Sequence, residues 1–266
     1  MSNIRTSLLF TALFICAPGL AVSSERPLAA AQETFPMSST VSPHLSVPQQ
    51  ALLPIAALAA MGDLPRLAPA LERGLDAGLT VSEIREILVQ LYAYAGFPRS
   101  LNALGQLMKV LETRHQRGVV DELGKAPSQP IPRGEALLQA GTVNQTRLSG
   151  APVTGALFEF APAIDEYLKT HLFGDIFSRD NLDWPSRELA TVSMLAAISG
   201  TDPQLQAHLK ISRNVGLTTN QLQQVATILS DQVDMQTGSR VKTALAALPA
   251  LYRRFTSNNR SNRAQR

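Results

Sequence analysis

At 266 residues and 45% hydrophobic content, the chain can bury a substantial core in one or two domains. Its net charge of +3 is too small to argue for a nucleic-acid partner, and the basic residues concentrate only in the tail, where Arg253, Arg254, Arg260, Arg263 and Arg266 sit among Ser and Asn. In chain order, Arg5 precedes an apolar run over 7–22 and then Ser23 and Ser24. A charged start, an apolar centre and a small-residue exit predict a secretory signal peptide over 1–23, and hence a periplasmic or secreted product. The run falls short of the ~20 residues that span a bilayer, so a retained anchor is the weaker reading and no membrane association is expected after cleavage. A Pro-, Ser-, Thr- and Gln-rich linker follows over 24–47. Cys16 is the only cysteine and lies in the segment to be removed, which leaves the mature chain with neither disulfide nor thiol nucleophile.

The remainder says nearly the same thing twice, 138 residues apart. LAPALERGLDAGLTVSEIREILVQL over 67–91 falls on LQAHLKISRNVGLTTNQLQQVATIL over 205–229, and LLPIAALAAM over 52–61 falls on LATVSMLAAI over 189–198. A period this long means one supersecondary unit used twice. Apolar residues at helical spacing predict helices over 49–61, 64–76 and 81–94, then 98–117; the second copy predicts 186–199, 203–215 and 219–230, then 239–253. Thr80 with Glu83, and Thr218 with Gln221, match the capping box that opens a helix. Gly78 and Gly216 stand where the preceding helix must stop. Asp202-Pro203 is expected to be a cap followed by a first-turn proline, and Pro98 and Pro185 can open helices in the same way. No alternating pattern competes as a sheet, so the fold class is all-α. The domain plan is a first repeat over 48–122, a connecting segment over 123–154, a second repeat over 155–253 and a basic disordered tail over 254–266.

What the copies share is architecture; what one copy alone carries is a candidate for chemistry. The second copy has Arg187-Glu188 where the first has Gln50-Ala51, and His208 where the first has Ala70. Glu188 lies in line with Val192 and Leu195, so its carboxylate should point inward. A buried carboxylate beside an imidazole suits general acid–base work, although a structural Glu–His or Arg–Glu pair fits the same spacing. Arg187 should point about 100° away from Glu188, toward a neighbouring helix or subunit. The first copy keeps EIREILVQLYAYAGFPRSLNAL over 83–104. Tyr94, Arg99 and Asn102 cluster around an aromatic turn and a helix N-terminus, and Glu86 shares a face with Gln90. That set suits an anionic oxygen; an ordinary packed helix corner is the alternative. The four histidines form no metal-binding spacing, and no metal is expected.

EIREILVQLYAYAGFPRSLNAL, and the RELATVSMLAAISG and QLQAHLKISRNVGLTTNQL segments, resemble the carboxymuconolactone decarboxylase family, which shares the AhpD-like fold. GEALLQAGTVNQ (134–145) and FGDIFSRDNLDWPSREL (173–189) are similar to its connecting segment. The resemblance implies tandem helical repeats that assemble as trimers or hexamers, with sites near helix junctions and subunit contacts. In the thiol-peroxidase branch a Cys-x-x-Cys pair opens the His-bearing helix; Thr201 and Gln204 stand in those places here, so that chemistry has no nucleophile. The decarboxylase branch needs no cofactor and acts on a small lactone acid. By that resemblance the chain is expected to be a cofactor-free lyase or isomerase on a small anionic organic substrate, with His208 and Glu188 catalytic and Arg99, Tyr94, Asn102 and Glu86 binding. A non-catalytic helical oligomer is the alternative, and an antioxidant without thiol chemistry the third.

Overall fold

The computed structural model describes residues 42–248. The signal peptide, most of the linker and the basic tail lie outside the described residues. Within them are eleven α-helices and one π-helical segment, and no strand. The first repeat comprises α1 (Val47–Met61), α2 (Leu64–Asp76), α3 (Val81–Gln90) and α4 (Tyr92–Gln116). Helix α5 (Glu135–Ser149) lies in the connecting segment, and α6 (Ala156–Phe160), α7 (Pro162–Tyr167) and the π-helical segment Leu168–Ile176 follow it ahead of the repeated helices. The second repeat comprises α8 (Trp184–Ala197), α9 (Asp202–Asn214), α10 (Thr219–Gln232) and α11 (Met235–Ala247).

The local signals act as their chemistry requires. Thr80 and Thr218 each accept a hydrogen bond from the backbone N–H three residues on, and the side-chain oxygens of Glu83 and Gln221 each accept one from the cap's own N–H. Gly78 and Gly216 have φ of 91° and 101°, a left-handed geometry that costs a residue with a Cβ about 1–2 kcal/mol. Pro48 and Pro185 occupy matching places in the first turns of α1 and α8. The first helix starts at Val47 rather than 49, because Ser46 and Gln49 form a further capping box. Gly96, at φ 81° and ψ 163°, breaks α4 where the aromatic turn was expected, and Pro98 restarts it. Asp202 departs from expectation. It sits inside the first turn of α9 with Thr201 at the cap position, and its carboxylate binds Arg240 at 3.0 Å. Arg240 also donates to the Ala196 and Ile198 carbonyls, so its cation closes the C-terminal end of α8, where positive charge is favoured.

Helices α1 and α8 pack against each other at the centre. Leu52 through Ala60 and Ser186 through Ala196 are buried without interruption, as expected of helices enclosed on all sides. Both repeats contribute to one continuous apolar core. The connecting region carries more helix than its sequence suggested, because α5 packs on the π-helical segment through glycines. A Cβ on Gly141 would collide with the Lys169 carbonyl, and one on Gly174 with Leu137. This contact organises a second apolar cluster of Leu148, Leu172, Phe173, Ile176, Phe177 and Ile211, against which Tyr92 and Tyr94 rest.

Candidate functional site

A polar seam runs between α3 and the start of α4 on one side and α8 and α9 on the other. At one end, His208 Nδ1 lies 2.9 Å from Glu188 Oε2. Glu188 is fully buried, whereas His208 keeps 8% of its surface. The second carboxylate oxygen, Oε1, is buried without a hydrogen-bond partner among the described residues. Leaving such an oxygen unpaired costs about 1–3 kcal/mol. Nδ1 is occupied by the carboxylate, so Nε2 is the ring nitrogen left for another partner. The Tyr94 ring meets the imidazole edge-on, with centroids 5.6 Å apart. Burial, and then the nearby Glu188 charge, push the Tyr94 phenol well above its ordinary value, so it stays neutral and able to donate.

From Tyr94 the seam continues through Thr191, whose hydroxyl lies 3.3 Å from the phenol oxygen. Gln90 Nε2 donates to Thr191 Oγ1 at 2.8 Å and to the Arg187 carbonyl at 3.0 Å. Arg187 is wholly buried; its Nη2 donates to Glu86 Oε2 at 2.9 Å, and its Nη1 to Gln90 Oε1 at 3.3 Å. Arg179 grips the same Glu86 carboxylate from the other side, through Nε and Nη2 at 2.7–3.1 Å. Burial alone would raise the Glu86 carboxyl. The hydrogen bonds from Arg179 and Arg187 outweigh it and hold the group below its ordinary value. Burial also pulls the Arg187 guanidinium down, but an arginine remains charged throughout the accessible range.

The expected residues therefore divide. His208, Glu188 and Tyr94 come together. Glu86 belongs to the seam, but both of its oxygens are held by Arg179 and Arg187, which makes it an internal counter-ion. Arg99 and Asn102 are exposed; Arg99 Nε passes over Gly62 at the end of α1 and makes no hydrogen bond to the His208–Glu188 pair. Arg187 reaches a neighbouring helix, α3, as its direction from Glu188 required. Thr191 and Arg179 escaped the sequence reading. Thr191 was findable, since the first copy has Pro54 in its place, the same kind of difference that singled out Glu188. Arg179 lies in a non-repeated stretch and gave no such signal. Cavities of about 440 Å³, beside Arg179 and Trp184, and about 650 Å³, between α10 and α11, are lined by neither His208 nor Glu188. No group of three His, Cys, Asp or Glu side chains that could hold a metal occurs among the described residues.

The sequence model of the carboxymuconolactone decarboxylase family matches residues 27–108 and 162–250, together more than half of the chain. No curated protein sequence matches it.

Proposed function

This chain belongs to the carboxymuconolactone decarboxylase family, and from that premise we propose that it is a cofactor-free lyase or isomerase acting on a small lactone or organic acid. The observation that carries this reading is the 2.9 Å His208–Glu188 contact, set in a seam built jointly by the two repeats. Glu188 holds the imidazole in place through Nδ1; Nε2 is the proton donor. In a decarboxylation the bond between the carboxylate carbon and its neighbour breaks and carbon dioxide leaves. The electron pair stays on that neighbour, which takes one proton from Nε2. In an isomerisation the same nitrogen removes a proton at one carbon and returns it at another. The neutral Tyr94 phenol supplies a donor beside the pair. The signal-like segment over 1–23 supports placing the mature protein in the periplasm or outside the cell.

The test is a screen of the purified protein against lactones and keto acids, followed by carbon dioxide release and ultraviolet absorbance. His208→Gln should lower turnover by roughly 10²–10⁴-fold, the usual loss for an acid–base group, with helix content and mass unchanged. The near-complete burial of His208 favours a second reading, a binding scaffold in which the pair is a structural pin. Unchanged turnover in His208→Gln, or a severe fall in its melting temperature, would establish that reading instead.

A further inference from the structure

The hydrogen bonds of the seam have a direction, and the buried cation at one end fixes it. The Arg187 guanidinium offers donors only and stays charged at any accessible pH. Its Nη1 lies 3.3 Å from Gln90 Oε1, so the amide oxygen, and not the amide nitrogen, faces the cation. Reversing the amide would set two donors against each other. The Gln90 nitrogen is thereby turned to α8, where its two protons meet the Arg187 carbonyl at 3.0 Å and Thr191 Oγ1 at 2.8 Å. Gln90, Arg187 and Thr191 are each 0% exposed, so bulk water does not compete for these groups.

Thr191 has one hydroxyl proton and two places to put it, the Arg187 carbonyl at 3.0 Å and the Tyr94 phenol oxygen at 3.3 Å. The carbonyl is the shorter contact but the poorer acceptor. It has two lone pairs; Gln90 takes one, and the helical bond from the Thr191 backbone N–H takes the other. The phenol oxygen has no other donor among the described residues. We propose that Thr191 donates to Tyr94, and that Thr191 and Gln90 are positioning residues which leave the Tyr94 O–H free for an anionic oxygen of the substrate. Each donor in the row Arg187, Gln90, Thr191 then points toward the phenol. A phenol proton lies in the ring plane and has two settings, and the one aimed at Thr191 is closed when Thr191 donates. The other is offered beside His208, whose imidazole the Tyr94 ring meets edge-on. In the first copy Pro54 stands where Thr191 does and has no hydroxyl to give, so the row is built once. The use of that proton rests on the catalytic reading proposed above; the direction of the row does not.

The tyrosine Fermi doublet in the Raman spectrum reads this direction without a substrate. Its upper band gains intensity when the phenol oxygen accepts and loses it when the phenol only donates. Tyr94 is one of 4 tyrosines and is isolated by subtracting the spectrum of the same chain carrying Tyr94→Phe. Thr191→Val and the smaller Thr191→Ala should lower the ratio of upper to lower band, with helix content unchanged by circular dichroism, and Thr191→Ser should keep the wild-type ratio. A ratio that rises or stays put in both hydroxyl-free variants overturns the proposal, because Tyr94 would then donate to Thr191 or make no bond to it. On a lactone or keto acid that the wild type turns over, the same two variants should lose about tenfold in kcat, the worth of one ordinary hydrogen bond. KM should change little, and Thr191→Ser should keep the rate. An unchanged kcat in both, alongside an inactive His208→Gln, overturns the positioning role and leaves the His208 reading standing. Full activity in His208→Gln defeats that reading instead, and the doublet still decides the direction of the row.

Discussion

Arg187 and Glu188 are neighbours in the chain, yet their side chains enter different chemistry because successive helical residues point about 100° apart. Glu188 meets His208 on α9, while Arg187 crosses to Glu86 on α3. Removing one member of a buried ion pair strands the other, which costs about 3–5 kcal/mol. Because Arg179 still holds the Glu86 carboxylate, Arg187→Met should destabilise the protein by less than that amount in denaturant unfolding, with methionine filling much of the space. The same carboxylate sets a pH dependence. The Glu86 pKa is lower folded than its ordinary value of 4.5, so the folded state binds its proton less readily than the unfolded chain does. The stability this contributes is complete above that ordinary value and is lost as pH falls through the lower, folded one. The difference in unfolding free energy between wild type and Glu86→Gln, measured from pH 7 down to pH 3, should therefore narrow at the acid end. A difference that widens there would contradict the assigned pairing.

At the scale of elements, capping boxes and helix-ending glycines fix where the repeats turn, and they act locally. Thr218 accepts from the Gln221 backbone N–H while Gln221 Oε1 accepts from the Thr218 N–H. Thr218→Ala removes the hydroxyl acceptor and should cost about 1 kcal/mol, within the ~0.5–2 kcal/mol range for such caps, in a thermal or denaturant melt. Thr201, at the matching end of α9, shows why local rules need tertiary context. Its hydroxyl turns back to the Leu195 and Ile198 carbonyls instead of capping its own helix, and Asp202 is taken by Arg240. The cap predicted from Asp-Pro thus gives way to partners brought in from α8 and α11.

For the whole molecule, the decisive contact is α1 against α8. Each is buried along most of its length, and each repeat carries only one of the two. A chain of residues 42–122 alone would expose the apolar flank of α1 that α8 covers, together with Gln90, whose amide donates to Arg187 and Thr191 on α8. It should lack a cooperative thermal transition and bind a hydrophobic dye, as compact states without fixed packing do. A sharp two-state melt of that fragment would show that the repeats are independently stable. No helix among the described residues is long and apolar enough to cross a membrane.

Spacing along the chain carries the all-α class, the duplication, the repeat helices, with the expected end of the last at 253 lying outside the described residues, and the glycine and capping signals between them. Those features follow from spacing and backbone conformation, which operate over a few residues and repeat in both copies. The sequence also singled out Glu188, His208 and Tyr94, because the copies differ at the first two and the third stands in an aromatic turn that only one copy keeps. Only the packed chain shows that Glu86 is a counter-ion, that Arg179 and Thr191 complete the seam, and that Arg99 and Asn102 are exposed. Partners such as Glu86 and Arg179 are 93 residues apart, and no periodicity carries information over that distance. Helix α5 was missed for a related reason. It is held by backbone approach at Gly141 and Gly174, a contact made by what those residues lack, which leaves no apolar stripe to read.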